Sequence, residues 1–444
     1  MEKMKNSAKR VAAVLTAAMV ILLFLGGGGG HLTSCSKKQV AADDDRVVVN
    51  YTTFSVGTHL SAPIEREVFK RFNDKYGTEI RLVVEELPSD SAYNDKMKVL
   101  VVSGGLPDVV DGKDGLRDIL IQSGNAVDLR PYLDSDPDFR DVVLGEDMLA
   151  ANTMPDGGVY SAHWMCQLAG YFYNKEMFSK AGISPAKTWD EWFSNCDKLL
   201  AAGFVPLSLM TGENSWTTNL ILGAMIASQS PDAEKMMNTK YPATYQTPEV
   251  IAALEWMQRC LQKYATADAL GALYANAANN FMMEQAAIIS NGSWMIADFS
   301  NPEKTAPGFA DKVGFAMFPG DGVMKGYAEG FSIVKSTPEK QDAAFKFIKE
   351  YSSRESQLDR IRLTGDLPLA SDIVITDEIR RDNPLLAAAA DAAINAKYAY
   401  PNLSVTAYAS VIDAFGRYYP ELAAGTLTPA QMAAKLDEAA ALNR

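Results

Sequence analysis

Two histidines, His59 and His163, are the natural starting point for nucleophilic or metal chemistry, since the third, His31, falls in a Gly-rich N-terminal stretch. A Ser-His-Asp arrangement needs an imidazole held against a hydroxyl. His59 sits in a Gly-Thr-His turn and His163 beside Trp164, and neither context supplies such a partner. The chain has no H-E-x-x-H, no Gly-rich loop ending in Gly-Lys-Ser/Thr and no G-x-S-x-G elbow. Asp134, Asp136 and Asp138 alternate as in a calcium loop, but Phe139 stands where the sharp turn of such a loop requires Gly. Cys35, Cys166, Cys196 and Cys260 form no C-x-x-C pair. The last three read as buried small hydrophobes. Carboxylates for glycoside hydrolysis need proximity in space, which spacing along the chain does not reveal. The residues therefore favour binding over catalysis, with no cofactor and no metal.

The elements that would position a site follow an α/β grammar. Arg46 to Thr52 is β-branched and reads as a buried strand, Pro63 to Tyr76 as a helix ended by Gly77, and Ile80 to Val84 as a second strand. Tyr93 to Val102 is helical, and Pro107 to Val110 is a third strand. This βαβ order implies a parallel sheet covered by helices. The pattern resumes with strands at Leu168–Tyr173, Ala286–Ser290, Val313–Phe318 and Phe331–Lys335. Helices are expected at Lys175–Ala181, Pro248–Tyr264, Glu339–Tyr351 and over most of Thr406–Asn443, with Thr188 and Glu191 as a capping box before another. The expected fold is α/β, with two lobes that each hold a mostly parallel sheet.

With 444 residues, 48% apolar and 22% charged, the chain has an ordinary globular composition. Its net charge of −13 excludes the concentrated positive field that nucleic-acid binding needs. Lys3, Lys5, Lys9 and Arg10 precede the apolar run Val11–Leu25, a secretory pattern. Leu32-Thr33-Ser34-Cys35 resembles a bacterial lipobox. That resemblance implies a signal peptide over 1–34, acylation of Cys35 and a polar tether over 35–45.

Ser103-Gly104-Gly105-Leu106-Pro107-Asp108-Val109-Val110 resembles a strand of the family 1 extracellular solute-binding proteins of ABC transporters, the maltose-binding-protein-like group. Other segments resemble that family in the same order: Asp156–Tyr160 with Tyr173-Asn174-Lys175, Ala181-Gly182-Ile183 with Lys187–Trp192, Phe281 to Trp294, and Phe331–Lys335 with Ala343–Ile348. The resemblance implies a type II periplasmic-binding-protein fold with hinge crossovers. One lobe is expected over 46–157 and 327–374, the other over 158–326 and 375–444. It also implies a monomer that binds an oligosaccharide between its lobes and delivers it to ABC transporter permease subunits. The site would lie on the outer face of the cytoplasmic membrane, or in the periplasm or at the outer membrane of a diderm.

Sugars have apolar C–H faces and a hydroxyl rim, so a site needs aromatic platforms beside hydrogen-bonding side chains. The resemblance places Trp294 as the stacking residue, with a core position as the alternative. Before Trp216, which is itself either ligand-facing or structural, it places Thr211, Glu213 and Asn214. Gln167 stands where the maltose-binding branch has a Glu, and Trp164 precedes it in the same stretch. Phe54 and Ser55 follow the first strand, and Asp111, Lys113 and Asp114 end the third, where open α/β sheets bind ligands. Gly112 and Gly115 replace that branch's aromatic and Asp-Arg pair, which argues against maltose itself. Tyr327 and Glu329 flank a lobe crossing, and Tyr408 is a further candidate. A polyamine or peptide ligand, a glycan-degrading surface lipoprotein and a ligand-sensing co-receptor are the competing readings.

Overall fold

Val47-Val48-Val49 opens a strand because three successive β-branched side chains fit a pleated, buried surface better than a helix. The computed structural model describes residues 44–57, 59, 61–327 and 329–443. Its strands are β1 (Val47–Thr53), β2 (Ile80–Glu86), β3 (Val109–Asp111), β4 (Gln167–Asn174), β5 (Val205–Ser208), β6 (Ala286–Gly292), β7 (Val313–Ala316), β8 (Gly322–Gly326), β9 (Phe331–Ile333) and β10 (Tyr398–Tyr400). The acylation motif at Cys35 and the leader before it lie outside the described residues. Among those residues, no helix is long and apolar enough to cross a membrane.

The strands form two sheets, ordered β2-β1-β3-β9 and β10-β8-β4-β6-β5, with β7 also on β4. In the first, β1 runs parallel to β2 and β3, and β9 runs against β3. In the second, β4 runs against β6, β7 and β8, while β5 follows β6 and β10 follows β8. Each sheet is thus parallel apart from one reversed strand. β4 and β9 each follow a passage of the chain from one sheet to the other, as does β10, which runs parallel to its neighbour β8.

Each sheet has its own core. Val49 and Tyr51 of β1 meet Ile64, Val68 and Phe72 from one face of the helix Ala62–Tyr76, together with Phe331 and Phe347. Burying each such side chain contributes about 1.5–3 kcal/mol. The second core gathers Phe172, Trp192, Ile289 and the helix Trp216–Ala227, in which every residue from Thr217 onward is buried. The three cysteines Cys166, Cys196 and Cys260 are free and buried. Asp134, Asp136 and Asp138 pair with Arg140, Lys349 and Arg354, which accounts for their alternation without a calcium ion. Thr188 caps its helix at Glu191 N–H, whereas the Glu191 carboxylate reaches back to Lys187 N–H and not to the cap residue.

The crossing segments are laced together. Ala162 and Phe331 exchange backbone hydrogen bonds of 3.0 and 2.9 Å, and Cys166 N–H donates to Leu367 O at 3.0 Å. Gly330 has φ +71°, and a Cβ there would meet Ala162 O at 2.2 Å. Only glycine fits that crossing.

Candidate functional site

The loops after β1 and β3 leave the first sheet at one end, and those after β5, β6 and β8 leave the second sheet at one end. This is where α/β sheets place ligands. On the first side, Phe54 is half-buried between Tyr93 and His59, each with ring centroids at 5.4 Å, and Lys113 Nζ lies 4.8 Å from its ring centre. Ser55 is buried, its N–H donating to Thr53 Oγ1. Asp111 N–H donates to Tyr93 Oη at 2.7 Å, and Asp111 Oδ1 accepts from Lys113 N–H at 3.2 Å. Burial pushes the Asp111 carboxyl up to about 7 despite Lys113, helped by Asp90 and Asp114. Burial alone would lower Lys113, but Asp90, Asp114 and Asp111 outweigh it and hold it protonated. Its ammonium pairs with Asp90, and Asp114 accepts from Asn94 at 2.8 Å.

The second side is aromatic. β6 ends at Gly292, and the Trp294 ring lies so close over that glycine that a Cβ would sit 2.2 Å from it. Trp216 stands 6.3 Å from Trp294 and 5.0 Å from Tyr274 between ring centroids. Tyr274 Oη accepts from Asn291 Nδ2 at 3.4 Å, which leaves its own proton free to donate. Glu213, Asn214 and Ser215 all have positive φ, at 45°, 59° and 58°. Three such non-glycine residues in succession mark a backbone held under strain.

Thr211 and Glu213 face the protein. Thr211 Oγ1 accepts from Gly271 N–H at 2.7 Å and donates to Ala269 O at 3.3 Å. Glu213 Oε2 accepts from Tyr274 N–H, the first residue of the helix Tyr274–Met282, at 2.7 Å. Asn214 contributes its carbonyl to Asn219 Nδ2. Thr211 and Glu213 thus hold the loop that carries Tyr274, while Asn214 is tied to the helix Trp216–Ala227.

A third group lines the crossings. The half-buried Trp164 packs at 4.4 Å on both His163 and Phe331, with the Arg360 guanidinium 5.6 Å from its ring. His163 is held neutral, its value lowered to about 3 by burial and then by Arg360. Gln167 begins β4 opposite Gly326. Burial raises the phenol of Tyr327, which sits beside Cys166. Glu329 is buried, with Oε1 unpartnered among the described residues. Burial pushes it up to about 8 against the pull of Arg117. Tyr408 stacks on Tyr241 at 4.2 Å and 8°.

The candidates therefore fall into separate clusters, not into a single contact network. Burial and then the charges of Lys113 and Lys304 lower His59 to about 4, and Lys304 is ion-paired with Asp298. The spacing pattern did not single out Tyr274, Lys304, Tyr241 or Asp118. Tyr274 opens a helix of small residues, and its role depends on Glu213, distant in sequence. Among the described residues no cluster of His, Cys, Asp and Glu could hold a metal ion.

A family of bacterial extracellular solute-binding proteins matches residues 57–358. A multiple sugar-binding protein of Streptococcus mutans is 27% identical over 203 residues, 43% of this chain and 46% of that relative, so the match spans less than half of the relative's length. A putative ABC transporter periplasmic-binding protein of Escherichia coli K12 is 22% identical, over 69% of this chain and 70% of the relative. Among solved structures, a chitin oligosaccharide binding protein superposes with a TM-score of 0.77 at 21% identity, covering 90% of this chain and 99% of that one. With its two sheets and a family match over residues 57–358, the chain belongs to the bacterial extracellular solute-binding proteins.

Proposed function

We propose that this protein is a lipid-anchored receptor that captures an oligosaccharide between two lobes and delivers it to an ABC importer. The observation that carries the sugar reading is the aromatic trio Trp216, Tyr274 and Trp294 beside the end of β6, in which Trp216 and Tyr274 are half-buried and Trp294 is buried. Rings offer platforms for the C–H faces of a pyranose, while Asp111, Lys113 and the Tyr274 hydroxyl suit its hydroxyls. Relatives named as sugar-binding and chitin-oligosaccharide-binding proteins support the same class. The lobes are taken as 46–157 with 327–374, and 158–326 with 375–444, and the receptor acts as a monomer that binds without breaking bonds. A polycation is the weaker candidate, because Lys113, the Tyr274 N–H and Arg117 already draw on the carboxylates of Asp114, Glu213 and Glu329.

A thermal-shift screen of residues 36–444 against mono- and oligosaccharides, polyamines and short peptides tests this reading. A ligand at 100 times its dissociation constant stabilises the fold by about 2.7 kcal/mol. Stabilisation by an oligosaccharide is expected. Stabilisation by polyamines or peptides alone would overturn the sugar assignment.

A further inference from the structure

Residues 238–246 leave the helix Pro231–Met237 and are pinned to the second side at both ends. Asn238 Nδ2 donates to Ala399 O at 3.0 Å. At the other end Thr244 Oγ1, Tyr245 N–H and Gln246 Nε2 converge on the Asp437 carboxylate at 2.6, 2.7 and 2.9 Å. Tyr241 N–H donates to Thr406 O at 2.7 Å, and Tyr241 adopts φ +55°, a conformation unusual for an aromatic residue. The result is an apex that reaches Asp118 and Met154. The Tyr241 ring lies flat on Tyr408, and its hydroxyl donates to Asp118 Oδ2 at 2.5 Å. Lys240 Nζ lies 3.6 Å from Met154 Sδ.

Asp118 and Met154 belong to the first side. Asp118 sits on the helix Leu116–Gln122 that follows β3, and is held by Arg117 at 2.8 Å. Arg117 is buried and also donates to Asn152 Oδ1. Next to this contact the backbones nearly touch: a Cβ on Gly115 would meet Ala409 Cβ at 2.6 Å. The receiving surface is therefore as firmly built as the strap that reaches it.

We infer that residues 238–246 form an interlobe clasp, in which Tyr241 and Asp118 set the affinity of the cleft for every solute by stabilising its closed arrangement. The contact joins protein groups only, so it favours closure equally whatever the cleft holds. A solute that binds the closed form gains affinity in proportion to the closed fraction. A hydrogen bond to a charged acceptor is strong enough to change that fraction roughly tenfold or more. The affinity part of this inference rests on the receptor reading above; the closure part does not.

The test uses the full chain carrying Cys35→Ser, with dyes on Val102→Cys and Leu270→Cys, exposed positions in the two expected lobes. Single-molecule energy transfer reads the closed fraction without sugar. Tyr241→Phe, which keeps the ring on Tyr408 but loses the hydroxyl, lowers that fraction, and so does Asp118→Asn; the double variant does no more than either alone. An unchanged closed fraction in both single variants overturns the clasp. Titration with chitotriose, raffinose and maltotriose then separates the two readings. If none binds the wild type, the sugar assignment fails and energy transfer alone decides on the clasp. If sugars bind, Tyr241→Phe weakens all of them by a common factor of roughly tenfold. A loss confined to one sugar would make Tyr241 a ligand contact and overturn the inference.

Discussion

Glu329 illustrates how a single buried carboxyl links the cleft to stability. Its side chain lies in a crossing, with one oxygen unpartnered, and burial raises it from the ordinary 4.5 to about 8. The folded state therefore favours the protonated form. Its contribution is fully present below about pH 4.5 and is lost as pH rises toward about 8. Glu329→Gln mimics the protonated form at every pH. Urea unfolding should find the variant and the wild type alike near pH 4.5, with the variant gaining on the order of 1–3 kcal/mol over the wild type by pH 8. A gap that does not grow with pH would contradict that role. At this scale Trp294 was legible only through the family resemblance, as a stacking residue with a core position as the alternative, and the structure buries it to 9% exposure over Gly292. The inward turn of Thr211 was not legible, because its partners Ala269 and Gly271 are distant in sequence and only the fold brings them close.

Among the elements, strands with β-branched runs and amphipathic helices could be read directly. Thus Arg46 to Thr52 became β1, and Glu339 to Tyr351 became the helix Pro338–Tyr351. The helix Trp216–Ala227 escaped notice because it is buried on all sides and carries no apolar stripe. β8 begins and ends in glycine and β10 has three residues, so neither shows a strand period. The strained turn at Glu213–Ser215 was equally invisible, since none of its residues is the glycine that a positive φ favours. Glu213 caps the helix Tyr274–Met282 from outside, and Glu213→Ala leaves the Tyr274 N–H unmet. The expected loss is about 0.5–2 kcal/mol of stability by chemical denaturation, with Glu213→Gln retaining most of it. Equal losses in the two variants would show that the acceptor is not what matters.

At the scale of the molecule, the two-sheet plan followed from strand order and family resemblance together. The reversal of β4 and β9 is set by long-range pairing, which local propensity does not encode. Membrane attachment belongs to this scale as well. A single acyl chain holds a protein only marginally, whereas several hold it stably. Cys35→Ser should move the protein from the membrane to the soluble fraction on centrifugation, and a variant that still sediments with membranes would refute acylation as the anchor. Capture itself is tested most directly by isothermal titration of the wild type and Trp294→Ala with an oligosaccharide that stabilises the wild type. Sugar capture on the aromatic trio predicts that affinity falls by about 1–3 kcal/mol while the variant stays folded. A folded Trp294→Ala that binds the sugar as tightly as the wild type would contradict it.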